Sequence, residues 1–186
     1  MPLKPDSTYL ALFSIILGVF TLAPALFSLV APVPAARVYR AFPRSVWPGR
    51  ILAVICVVCS AIWSISMPFP FLPPLRPWLW IIVPLVVAAF WIYIPDLLSC
   101  RAFGGLLALV PSPLLHAAQW HPSAWRYVII VYAYALAVLG MFYIALPYLM
   151  RDHITWAHGT PLRARVIAAS FAALGALLIA LSVLYR

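Results

Sequence analysis

The sequence predicts an all-α integral membrane protein, with five transmembrane helices and one amphipathic helix lying in the interface. Three observations carry this. Of the 186 residues, 67% are hydrophobic and 8% are charged, and the mean hydropathy is +1.09. A soluble domain carries roughly 25% charged and about 45–50% apolar residues, so this chain has too little polar surface to cover a globule in water. Several apolar runs reach the ~20 residues that a helix needs to cross a hydrocarbon core. All eight tryptophans (Trp47, Trp63, Trp78, Trp80, Trp91, Trp120, Trp125 and Trp156) fall near the ends of those runs or between them. An amphipathic indole prefers the headgroup level, so they read as an aromatic belt. Residues 1–186 are expected to form a single transmembrane helical domain.

The first span is read at 9–30, mildly broken by Pro24. Ala23-Pro24-Ala25 resembles a signal cleavage site, but Asp6 offsets Lys4 and the apolar run continues past it, so a retained helix is expected. Prolines 32, 34, 43 and 48 then prevent a long helix. Arg37, Arg40 and Arg44 stand at helical spacing there, which predicts a short interfacial turn before Pro43. The second span is 51–67, ended by Pro68, Pro70, Pro73 and Pro74. Pro77 opens the third, 78–94, where Pro84 introduces a kink. The fourth is 127–150 and the fifth 166–184.

Residues 97–118 divide two arguments. Arg101, Gly105, Ala108, Ser112, His116 and Gln119 fall on one helical stripe, and Phe103, Leu106, Leu107, Val110 and Leu114 on the other. With Pro111 and Pro113 interrupting the run, this is the pattern of a helix in the interface. Charge counting opposes it. With five spans, seven cations (Arg37, Arg40, Arg44, Arg50, Arg101, Arg126 and Arg186) share one side, against the other five of the twelve. If 97–118 crosses, Arg151, Arg163 and Arg165 join the first group, Arg126 and Arg186 leave it, and the split becomes eight to four. The five-span arrangement is preferred, with six membrane-embedded helices as the alternative. In both, the loop carrying Arg37, Arg40, Arg44 and Arg50 faces the cytoplasm and meets anionic headgroups. A multi-pass protein of a bacterial inner membrane is expected.

The motifs that could carry chemistry are thin. The net charge of +9 is spread as punctuation between apolar runs, so nucleic acid is not an expected partner. The acids number three, Asp6, Asp96 and Asp152, and none lies at the middle of a span, where ion-coupled transporters place theirs. His116, His121, His153 and His158 all lie outside the confident spans, against an axial haem role. Asp152 beside His153, with His158 near, is the one acid–base couple an enzyme would have. The frames His116-x4-His121-x4-Arg126 and His153-x4-His158-x4-Arg163 share a spacing, as a helix-plus-loop duplication would leave. Cys56 and Cys59 sit inside an apolar run and read as small hydrophobes, with Cys100 apart. Tyr132, Tyr134 and Tyr143 give the fourth span a polar side. No cofactor or metal is expected.

The packing signal is in the fifth span. Ala168, Ala172, Ala176 and Ala180 recur every four residues, with Ala169, Ala173 and Gly175 beside them. Such a stripe lets another backbone approach closely in lipid. Ala133, Ala137 and Gly140 on the fourth span are the expected mate. The functional expectation is a non-catalytic membrane subunit that scaffolds or stabilises a larger complex with other membrane subunits. The alternative is a small transporter or a lipid- or quinone-handling protein. An enzyme using Asp152, His153 and His158 ranks third.

Overall fold

The protein is described by a computed structural model over residues 7–66, 78–93, 97–119 and 123–185. Among these residues every regular element is helical. In chain order they are α1 (Ser7–Val30), α2 (Pro32–Ala41), a 3₁₀ turn (Phe42–Arg44), α3 (Val46–Ser66), α4 (Leu79–Tyr93), α5 (Leu98–Leu109), α6 (Pro111–Gln119), α7 (Arg126–Ala145), α8 (Pro147–Ala157) and α9 (Pro161–Leu184). The features expected at Lys4, Asp6, 67–77, Asp96, Trp120, His121 and Arg186 lie outside the described residues.

Proline sets many boundaries. It opens α2, α6, α8 and α9, standing at the first helical position, where its missing N–H has no partner to lose. Thr160 caps α9, its hydroxyl accepting from the backbone N–H of Arg163 at 3.4 Å. Inside α1, Pro24 interrupts the backbone ladder, and its own carbonyl accepts from Ser28 (3.0 Å) and from the Tyr39 hydroxyl of α2 (2.8 Å). The short helix expected around Arg37 and Arg40 is α2, and it ends ahead of Pro43 as the spacing required.

Five helical stretches are long and apolar enough to cross a membrane: Tyr9–Val30, Val46–Trp63, Leu98–Gln119, Arg126–Ala145 and Pro161–Leu184. The number matches the expectation, but the membership does not. The expected third span is α4, with 15 described helical residues. The segment expected to lie in the interface, 97–118, supplies a long one instead. There α5 and α6 follow each other with only Val110 between them. Pro111 interrupts the ladder at one point and the chain resumes as helix. Nor does this segment bury a single stripe. Leu98 and Ala102 pack with Ala53 of α3, Gly105 faces Cys56, and Gly104 lies against Gly140 of α7. The small residues Cys100, Ala102, Gly104 and Gly105 seat α5 against two helices, which a surface-lying helix would not need. The boundaries of the other spans also shift. The expected 127–150 divides at Leu146 into α7 and α8, because Pro147 starts a new helix.

Two compact units are distinguished within the chain. The first comprises Met1–Arg40, Val110–Leu136 and Asp152–Arg186. Its centre is an antiparallel pairing of α1 with α9, the most extensive helix pair among the described residues. Gly18 and Gly175 are the crossing point: a methyl group added to either would stand 2.9 Å from the other's carbonyl oxygen. Ser14 donates across the pair to the Leu178 carbonyl at 2.7 Å. Leu10, Ala11, Leu114, Ala118, Ile129, Ala133, Leu178, Leu181 and Tyr185 complete the core. Two further hydrogen bonds fix α7 here. Thr21 donates to Leu17 O, so it accepts from the Tyr132 hydroxyl at 2.8 Å. The buried Tyr185 donates to Trp125 O at 2.8 Å.

The second unit comprises Ala41–Leu109 and Ala137–Arg151. Here α3 and α5 run parallel, Gly49 meeting Ser99 and Cys56 meeting Gly105. The Ser99 hydroxyl donates to the carbonyl of Ser45, just ahead of α3. A second glycine crossing joins α5 to α7, where a methyl group at Gly140 would stand 2.6 Å from both Gly104 O and Ala108 N. Leu97, ahead of α5, has φ = 55°, a left-handed conformation that costs a branched residue about 1–2 kcal/mol.

Candidate functional site

The described residues singled out by the sequence are divided between the two units. Asp152 and His153 are exposed on α8, whereas His158 is half-buried beyond its end. The His158 ring nitrogen Nδ1 meets the Ile154 carbonyl at 3.1 Å, its own carbonyl accepts from Arg40 Nη2 at 2.8 Å, and its ring lies 5.4 Å from that of Tyr39. These contacts tie α2 to the α8–α9 junction within the first unit; they explain His158 as a structural residue. Among the described residues no three His, Cys, Asp or Glu side chains gather as metal ligands. Cys56 and Cys59 are half-buried on α3 and Cys100 is buried, all three as free thiols. The tyrosines of α7 diverge. Tyr132 turns to Thr21, Tyr143 is buried beside Gly104, and Tyr134 is exposed.

The alanine stripe splits. Ala168 and Gly175 are buried and Ala172 is half-buried, all in the first unit, where α9 packs on α1. Ala176 and Ala180 are exposed, as are Ala169 and Ala173. Of the mate expected on α7, Ala133 shares the core with Leu178 and Leu181 of α9, whereas Gly140 does not face α9. Gly140 meets Gly104 of α5, and the close partner of α9 is α1, whose buried face reads Ala11, Ser14, Gly18, Thr21, Ala25 and Ser28. That run of small residues at three- and four-residue spacing was available in the sequence as a signal for the pairing.

The four arginines of the expected headgroup loop have different surroundings. Arg37 and Arg44 are exposed and Arg40 holds His158. Arg50 is half-buried in the second unit, on the first turns of α3. Its guanidinium carbon stands 5.9 Å from the Trp47 ring centroid and 5.5 Å from that of Trp91. Trp47 and Arg50 are three residues apart on one helix and therefore neighbours. Trp91 arrives from the last turn of α4, because α3 and α4 run antiparallel. Between those helices lies an open groove of about 340 Å³ lined by Val54, Val58, Val83, Pro84, Val87, Ala88 and Trp91. Its size is that of a small ligand cleft, and its wall is apolar. Trp91 belongs both to the groove and to the arginine. Sequence reasoning placed Arg50 at the headgroup level and Trp47 and Trp91 in a belt, but contained nothing to join them.

One further cation stands out. Arg101, on the first turn of α5, has a buried Nε without a hydrogen-bond partner among the described residues. Comparison with known proteins gives no significant match of this chain to a family model, a curated protein or a solved structure.

Proposed function

We propose that this is a non-catalytic, multi-pass membrane subunit that holds a partner membrane protein through the outward face of α9. The observation that carries the reading is the division of the α9 small residues. Packing on α1 uses Ala168, Ala172 and Gly175, yet Ala169, Ala173, Ala176 and Ala180 form a second, exposed stripe. Lipid tails gain little from such a surface, whereas another helix gains close van der Waals contact.

The accompanying topology is six crossings. Within the first unit the end of α1 and α2 meet the start of α9, through Tyr39, Arg40 and His158. An even number of crossings must therefore separate α1 from α9. Three long helical stretches lie between them, at 46–63, 98–119 and 126–145, so α4 completes the count. The antiparallel run of α4 on α3, and the return of α5 parallel to α3, support this within the second unit. Arg37, Arg40, Arg44, Arg50, Arg101, Arg151, Arg163 and Arg165 then share one side, eight of the chain's twelve cations. By the positive-inside rule that side is the cytoplasm of a cell membrane.

The test is co-purification from native membranes in mild detergent. Ala176→Leu or Ala180→Leu should weaken a stoichiometric assembly about 5- to 150-fold, from overpacking of ~1–3 kcal/mol, while the fold of the chain itself is kept. Ala172→Leu should lower yield instead, because it enters the α1–α9 contact. Normal assembly of both outward variants, with loss of function from His153→Ala, would sink the scaffold reading. A second reading, a lipid- or quinone-handling protein, is favoured by the groove beside Arg50.

A further inference from the structure

We propose that the α3–α4 groove is a binding site for one anionic phospholipid, its phosphate on Arg50 and one acyl chain along the groove wall. The inference rests on the membrane-embedded reading above and is independent of the α9 stripe.

The arginine has the geometry of a prepared anion site. Two indole rings hold its guanidinium at 5.9 and 5.5 Å. Each contact sets the cation against the face of an indole, which supplies negative potential but no anionic partner for the N–H donors. Arg50 makes no ion pair among the described residues. A planar fork of donors suits a phosphate oxygen pair better than it suits water. In the six-crossing topology Arg50 lies at the cytoplasmic end of α3, the depth at which a phosphodiester resides.

The groove identifies the rest of the ligand. From Trp91 to Val83 it extends along α4 for eight residues, about 12 Å at 1.5 Å per residue. Val54, Val58, Val87 and Pro84 offer the chain no hydrogen bond. A free phosphate or a sugar phosphate would leave that wall unused, whereas a lipid fills both halves at once. The two halves do different work. Lipid tails are as apolar as valine, so the groove cannot by itself prefer one lipid to another. Selection falls to the headgroup. A single cation at the membrane surface is worth about fivefold in favour of an anionic lipid, the equivalent of about 1 kcal/mol.

The protein, stripped of lipid in neutral detergent, is reconstituted into discs of nine parts phosphatidylcholine to one part phosphatidylglycerol. The lipid that remains after gentle extraction is measured by native mass spectrometry. Phosphatidylglycerol should be enriched on the protein about fivefold over the bilayer ratio. Arg50→Gln should return the ratio to that of the bilayer, and Arg163→Gln should leave the enrichment intact. Arg163 is a fair comparison because it rests on Trp156 at 5.7 Å in the other unit. Val87→Trp, which fills the groove and keeps Arg50, should reduce the number of lipids retained. Undiminished enrichment in Arg50→Gln, or equal loss in Arg163→Gln, overturns the proposal. If Arg50→Gln does not insert, full lipid retention by Val87→Trp overturns it. Flotation with vesicles of the same nine-to-one lipid mixture is read separately: wild-type protein that fails to float refutes the membrane reading, whereas protein that floats without enrichment refutes only the site.

Discussion

Replacing Gly175 by alanine tests the α1–α9 crossing by the sign of its effect. In a helix interior alanine is favoured over glycine by about 0.8–1.0 kcal/mol, so a glycine without a packing role should be improved by the change. Here the new methyl group would stand 2.8 Å from Leu22 N, 2.9 Å from Gly18 O and 2.9 Å from Leu22 Cβ. Two of those three atoms are backbone and cannot swing aside. Carbon contacts are optimal at about 3.5–4.0 Å, so the helices must separate by roughly 0.6–1 Å. Overpacking of this kind costs ~1–3 kcal/mol. The separation also stretches the bond from Ser14 to Leu178 O, now 2.7 Å, and such interhelical bonds average ~0.6 kcal/mol. After the propensity gain, a net loss of about 0.6–2.8 kcal/mol remains. Unfolding in mixed micelles of rising dodecyl sulfate content measures it. Ala173→Gly, on the exposed side of the same helix, should also destabilise, by ~1 kcal/mol through propensity alone. Adding a methyl group at 175 and removing one at 173 thus act in the same direction for opposite reasons. Gly18→Ala, placed on top of Gly175→Ala, should cost less than it does alone, because the crossing is already open. A Gly175→Ala protein as stable as the wild type would refute the close crossing.

Two further outcomes follow from the same contacts. Tyr185, beyond the end of α9, has its phenol pushed above the ordinary value near 10 by burial. The unfolded chain therefore ionises first, and the contribution of this group is fully present up to pH ~10 and is lost as pH rises through the folded value. Tyr185→Phe should cost about 0.5–1.5 kcal/mol at pH 8, and the gap from wild type should narrow in alkali; a gap that widens between pH 8 and 11 in thermal unfolding would contradict the assignment. For topology, single cysteines replacing Val38 and Thr160 in a protein cleared of Cys56, Cys59 and Cys100 should both be labelled from the cytoplasmic side, and one replacing Trp125 from the opposite side. Labelling of positions 38 and 160 from opposite faces would remove the sixth crossing.

Composition and the longest apolar runs made the fold class legible, because α1 and α9 need no partner to be recognised as helices of spanning length. Residues 97–118 were not legible in the same way, and the difficulty is physical. Proline there reads as an interruption, yet at the first position of a helix it costs nothing, and α6 begins at Pro111. The polar-looking stripe was also misleading. Gly105 and Ala108 are apolar contacts, since a glycine or alanine in a membrane helix marks a close neighbour as often as a weak hydrophobic face. In the structure Gly105 meets Cys56, and the backbone of Ala108 meets Gly140. The Arg50 site shows a different limit. Trp47 and Arg50 are adjacent on one helix, but Trp91 lies more than forty positions later, and only the antiparallel return of α4 brings it back.

The alanines of α9 show how a single repeat in the sequence comes to lie on two surfaces of one helix. Four residues turn a helix by about 400°, so a strict repeat of four drifts by ~40° at each step. Taking Ala168 as the reference, Ala172 lies near 40°, Ala176 near 80° and Ala180 near 120°. A partner helix is followed instead by alternating steps of three and four, a repeat near 3.5. Gly175, Ile179 and Ser182 then fall within about 40° of Ala168, and all three are buried or half-buried. Ala169 and Ala173 lie near 100° and 140°, beside the drifting alanines. The eye reads one stripe at 168, 172, 176 and 180, but the helix carries two. One is centred on Ala168 and Gly175 and is consumed by α1. The other is centred about 110° away on Ala169, Ala173, Ala176 and Ala180 and remains exposed. A third helix packed on this second face would meet α9 beside α1, with a surface whose small side chains permit the same closeness of approach that Gly18 already exploits.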